Sequence, residues 1–103
     1  GWTALMWASY GEERDGSDHV EVIRRLLGRI PVNGRNETFE TALWWACFRG
    51  FSERARVLLL EGCADHTLAD DQGMTPMDIA RRMGRLDCIR VLEVRRRGNE
   101  ERV

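Results

Sequence analysis

Cys63-Ala64-Asp65-His66 sets a thiol and an imidazole three residues apart, half of a zinc-site spacing, and Cys47, Cys88 and His19 are the side chains that could complete it. Structural zinc sites draw on two such close pairs. This chain has one, so the ligands would have to converge from separate segments, and the sequence assigns no metal. Asp70-Asp71 has the composition of an acid–base pair, but Gly73 marks a turn there. Asp is favoured in turns because its side chain bonds to the backbone two residues on. Neither His19 nor His66 has a Ser or Cys partner at a diagnostic spacing, and there is no G-x-S-x-G, P-loop or H-E-x-x-H. The chain therefore reads as non-catalytic, with no cofactor.

The elements that would carry these residues repeat. Glu40-Thr41-Ala42-Leu43-Trp44-Trp45-Ala46-Cys47-Phe48-Arg49-Gly50 is preceded by Thr3-Ala4-Leu5-Met6-Trp7-Ala8 and followed by Thr75-Pro76-Met77-Asp78-Ile79-Ala80. In each copy a Thr is followed two residues later by Leu or Met and five later by Ala. Gly50 and Gly84 close the second and third copies nine residues after the Thr. An apolar pair then answers each copy: Leu26-Leu27, Leu58-Leu59 and Val91-Leu92. Thr can cap a helix by accepting a free N–H of the first turn, and Pro76 fits the next position, where no N–H is lost. Glycine ends a helix where a left-handed residue is needed. Small Ala46 lets a neighbouring helix approach. A second helix follows from about Ser52 to Glu61, with Ala55, Leu58 and Leu59 as its apolar stripe.

A period of about 33 residues carrying T-P-L-H-x-A is the ankyrin signature. The chain resembles the ankyrin-repeat family from Gly1 to about Arg95. The resemblance implies an all-α fold, a short solenoid of helix-turn-helix units joined by hairpin-like fingers. Its repeats run over about 1–32, 37–69 and 71–95, with a charged C-terminal tail at 96–103.

Within that frame the copies differ. Thr41 to Leu58 and Thr75 to Leu92 are offsets of 17, whereas Thr3 to Leu26 is 23. About six extra residues thus fall within Tyr10–Asp18, where two Gly and several charges mark a solvated loop. Asp18 is the expected N-cap of a helix from His19 to Leu27, with Val20, Ile23 and Leu27 inward. Phe39 stands where Gly1 and Gly73 stand in the other copies. Phe tolerates positive φ poorly, which predicts a different tip for the first finger. Trp2, Met6 and Trp7 form an apolar group at the N-terminal side with no polar cap before it. With no initiator Met ahead of Gly1, that group predicts a segment cut from a longer array or covered by another domain.

With 103 residues, 43% hydrophobic and 32% charged, composition fits one soluble helical domain. No apolar run approaches the roughly 20 residues that span a bilayer. Three widely spaced Cys predict free, buried thiols in a reducing intracellular compartment, cytoplasmic or nuclear. The net charge of -1 exerts no global pull on nucleic acid. All sixteen basic residues are Arg, and residues 81–103 hold eight of them against four acids. Asp87, Glu93, Glu100 and Glu101 interrupt that run and no aromatic accompanies it. A nucleic-acid or acidic-partner adaptor acting through the Arg-rich end is therefore the second reading.

The first reading follows from the resemblance. It implies a protein–protein interaction module, a scaffold or adaptor that binds another protein or another domain of its parent chain. The finger tips and the exposed side of each first helix would do the binding. Counted from each Thr, those positions are Trp2 and Tyr10 in repeat one. Repeat two supplies Glu37, Thr38, Glu40, Phe48 and Arg49, and repeat three supplies Asp71, Gln72, Met74, Arg82 and Met83.

Overall fold

The computed structural model describes residues 1–11 and 19–100, with side chains as far as Arg95. Among the described residues six helices follow one another: α1 Ala4–Tyr10, α2 His19–Leu26, α3 Ala42–Arg49, α4 Ser52–Leu60, α5 Pro76–Arg82 and α6 Leu86–Glu100. They form three pairs, α1 with α2, α3 with α4, and α5 with α6. The pairs stack into an inner row, α1–α3–α5, and an outer row, α2–α4–α6. The molecule extends 40 × 27 × 26 Å. Among the described residues there is no strand, only one isolated bridge between Leu27 and Ile30. No described helix is long and apolar enough to cross a membrane.

The repeated residues perform the same task in each copy. The hydroxyls of Thr3, Thr41 and Thr75 accept from the backbone N–H of Met6, Trp44 and Asp78 at 3.1, 3.1 and 3.2 Å. Asp78 returns the favour at the third site, its carboxylate accepting from the Thr75 N–H at 3.1 Å. At the other end of α3 the chain turns left-handed at Gly50, φ 79°, and Phe51 N–H reaches the Ala46 carbonyl at 2.9 Å. Gly84, φ 68°, does the same after α5, with Arg85 N–H on the Ala80 carbonyl at 2.8 Å. Gly50 has a second constraint, since a Cβ there would stand 2.8 Å from Cδ of Arg85.

The core runs unbroken between the rows. Leu5, Met6, Ile23, Leu43, Leu58, Leu59 and Leu92 are all fully buried within it. Ala8, Ala46 and Ala80, each five residues after its Thr, are buried where α1, α3 and α5 pack on one another. Met6 departs from the expected open N-terminal face. It lies one position from Trp7 on a 100° turn, which carries it wholly into the core while Trp7 stays 57% exposed. Cys63 departs too, being exposed, whereas Cys47 and Cys88 are buried. It follows α4 in a left-handed conformation, φ 54°, at the turn into the second finger.

The fingers correct a further expectation. Asn36 accepts from the N–H groups of Thr38 and Glu40, and its carbonyl accepts from Phe39 N–H. Thirty-four residues on, Asp70 makes the same three bonds with Gln72, Met74 and Gly73. Phe39 simply adopts φ 64° beside the 79° of Gly73, so both tips have one form. The local bonds to Asn36 outweigh the left-handed penalty of about 1–2 kcal/mol. Adjacent fingers are stitched together by Asp65 N–H on the Asn33 amide oxygen (2.8 Å), Arg35 on the Ala69 carbonyl (3.1 Å) and Asp71 N–H on the Thr38 carbonyl (3.0 Å).

The interhelix segment of repeat one occupies 11–18, against 50–51 in repeat two. Most of that extra segment, including the expected Asp18 cap, lies outside the described residues, as does the end of the charged tail. The backbone of α6 runs on through Arg95 to Glu100.

Candidate functional site

The exposed side of the inner row is aromatic. Trp2 lies between Trp7 and Trp45, with ring centroids 4.5 and 4.6 Å away. Tyr10 meets Trp2 and Trp45 edge-on at 5.5 and 5.2 Å, and the Arg49 guanidinium sits 4.9 Å from the Tyr10 ring. Phe48 stacks nearly parallel on Trp44 at 5.4 Å and meets Trp45 edge-on at 5.5 Å. Aromatic pairs of this geometry contribute about 0.5–1.5 kcal/mol each beyond their buried area. Each ring of the ledge is held by at least two ring neighbours. Trp44 and Trp45 both bury their indole N–H with no acceptor among the described residues.

Beside this ledge stands the first finger tip. Trp2 and Trp45 line a cavity of about 350 Å³ together with Asn36, Glu37, Thr38 and Glu40. Glu40 is held in place because Asn36 and the Thr38 hydroxyl both donate to its Oε1. Glu37 is exposed. The line of tips continues from Thr38 to Asp71 through their backbone bond, and then to exposed Gln72. Met74 follows, its sulfur accepting from Arg82 at 3.7 Å, and Met83 is 39% exposed.

The structure thus brings Trp2, Tyr10, Phe48 and Arg49 into one ledge, and Glu37, Thr38, Glu40 and Asp71 into one row of tips. Met74 and Arg82 form a small group with each other. Phe48 has a packing role as well, since it stacks on buried Trp44.

Sequence reasoning missed Trp45, the residue through which the ledge connects. Its signal was present: it precedes Phe48 by three and Arg49 by four, which puts all three on one helix face. Phe39 was missed as well. It is 51% exposed at the first tip, with Arg35 5.7 Å from its ring.

Other chemistry-bearing groups are accounted for elsewhere. Cys47 and Cys88 share a side-chain hydrogen bond in the interior, and that bond together with burial pushes the Cys47 thiol well above its ordinary range. No three metal-ligating side chains gather among the described residues. Asp65 accepts from the Thr67 hydroxyl and N–H at 2.6 and 2.9 Å, which holds its carboxyl below the usual range. Arg85 donates to the Phe48 carbonyl at 3.1 Å, capping the end of α3 rather than facing solvent. Arg54 is 2% exposed and points back one repeat, donating to the carbonyls of Ala8, Ser9 and Gly11 at the end of α1. Its guanidinium also lies 3.8 Å from the Phe51 ring. A larger depression of about 490 Å³ lies between α4 and α6, lined by Leu60, Val91, Val94, Arg56, Asp87 and Arg90. It has no aromatic wall.

Comparison with known proteins places this geometry. A family model described as Ankyrin repeats (3 copies) matches residues 14–97. The ankyrin repeat and KH domain-containing protein mask-1 of Caenorhabditis elegans is 36% identical over 75 residues, covering 72% of this chain and 3% of that protein. A chain in the solved complex of a predatory endopeptidase from Bdellovibrio bacteriovorus with an immunity protein superposes with a TM-score of 0.74. It is 22% identical, over 91% of this chain and 46% of that one, a likeness of fold. The chain thus spans a small part of the first relative and about half of the second.

Proposed function

Since the chain belongs to the ankyrin-repeat family, whose repeats generally serve as protein–protein interaction modules, we propose that it is a non-catalytic binding module. On this reading it takes another protein, or another domain of its parent chain, on the aromatic ledge and finger tips inside a reducing intracellular compartment. One observation carries this reading. Trp2, Tyr10, Trp45, Phe48 and Arg49 form a continuous, pre-ordered and partly exposed surface. Trp, Tyr and Arg are the types that dominate binding energy at interfaces, and a rigid surface loses little entropy on binding. The Arg-rich end offers no comparable stacking surface through Arg95.

The test is a capture experiment with two variants. Glu37→Ala/Gln72→Ala/Met83→Ala removes three exposed side chains from the proposed face. Arg56→Ala/Arg90→Ala alters the α4–α6 side. A partner kept by wild type and by the second variant but lost by the first supports the reading. Loss in the second alone, with binding that weakens steeply as salt rises, would instead favour an acidic partner on the basic side.

A further inference from the structure

The cavity between Trp2, Trp45 and the first finger tip has its own chemistry, and we propose that it takes the ammonium side chain of a lysine, free or N-methylated, presented by the partner. This rests on the reading of the face as a protein-binding surface. Two indoles supply part of the lining; Trp2 is stacked between Trp7 and Trp45, so the pair offers an apolar wall along which the aliphatic stem of a lysine can pack. Glu37 and Glu40 supply two carboxylates, and among the described residues the lining contains no arginine or histidine. The nearby guanidiniums are engaged elsewhere: Arg35 at the Ala69 carbonyl and the Phe39 ring, Arg49 at the Tyr10 and Phe51 rings.

The site is also built rather than incidental. Glu40 is clamped through one carboxylate oxygen by Asn36 and Thr38. Asn36 in turn is fixed by the backbone of its own turn. Trp2 is held between two indoles and Tyr10. At about 350 Å³ the cavity is roomy enough for one extended side chain with a methylated head. A soft cation beside indoles, with carboxylates for counter-charge, fits it better than an anion or a neutral aliphatic chain would.

The probe is a short Gly/Ser peptide with one central lysine, prepared also as the trimethyl-lysine and norleucine forms. The chain is N-acetylated, so that the α-amine of Gly1, another lining residue, carries no charge. Indole N–H resonances are followed by NMR and assigned with Trp45→Phe. Saturable shifts of the Trp2 and Trp45 signals are expected with both lysine peptides, at least about tenfold tighter than with norleucine. Glu37→Gln/Glu40→Gln keeps the hydrogen-bonding atoms and should weaken the lysine peptide about tenfold while the fold is unchanged by circular dichroism. Trimethyl-lysine binding more tightly than lysine would assign the methylated form. Equal binding of norleucine, no saturable shift, or indifference to the double Gln change would overturn the proposal. Capture of the partner by wild type would then still stand, separating failure of this subsite from failure of the binding face.

Discussion

Arg54 offers the most exacting perturbation, because nothing about its position on α4 announces that it holds α1. Its guanidinium is buried and serves three carbonyls at the end of α1, where the last helical acceptors have no partner of their own. Arg54→Met keeps much of the aliphatic stem and removes every one of those bonds. Hydrogen bonds to a charged group contribute about 1.5–3 kcal/mol, but the three share one nitrogen, so they count as one to two. Adding the lost contact with Phe51 gives a cost of about 3 kcal/mol. For a chain of this size that lowers Tm by roughly 10–20 °C. Thermal and urea melts followed by circular dichroism measure it. Arg56→Met, two residues on and exposed with a 3.8 Å pair to Glu53, is the control and should stay within about 0.5 kcal/mol. Equal effects of the two changes would refute the claim that a buried guanidinium clamps repeat two to repeat one.

Four further outcomes follow from the same packing. Ala46→Leu overfills the fully buried contact between inner helices and should cost about 1–3 kcal/mol in denaturant melts; a neutral result would mean that α1 and α5 can move apart. Phe39→Gly relieves the left-handed strain at φ 64° but gives up the Arg35 contact and gains unfolded-state entropy, so a small stabilisation of roughly 0.5 kcal/mol is expected. Asp65 has a folded pKa below its unfolded one, so its contribution is full above the ordinary carboxylate range and is lost as pH falls through the lowered value; Asp65→Asn should flatten the acid limb of a stability–pH profile in that window. An aromatic disulfide reagent should modify Cys63 promptly and Cys47 and Cys88 only at the rate of unfolding, read as one fast thiol followed by two slow ones.

Much of this is legible in the amino-acid sequence alone. The Thr, Ala and Gly positions report local backbone needs, capping, close approach and left-handed φ, which a sequence displays directly. That is why the helix starts at Thr3, Thr41 and Thr75 and the stops at Gly50 and Gly84 stand where the repeat puts them. What the spacing does not display is reach across repeats. Arg54 meets acceptors more than forty positions earlier, and Arg85 returns to Phe48, so neither could be told from a solvated arginine. Met6 and Trp7 are neighbours in the chain, and only the stacking of α3 on α1 decides that one is core and the other ledge. Phe39 shows the converse: a residue with a poor intrinsic preference takes the glycine conformation because Asn36 bonds the turn closed around it.

The central claim is that protein binding occurs on the inner-row ledge and the finger tips. Amide hydrogen exchange, compared between the chain alone and the chain bound to its purified partner, tests it most directly. The account predicts added protection within residues 36–49 and 71–83, with affinity that changes little as salt is raised. Protection confined to α6, with affinity falling steeply in salt, would contradict it.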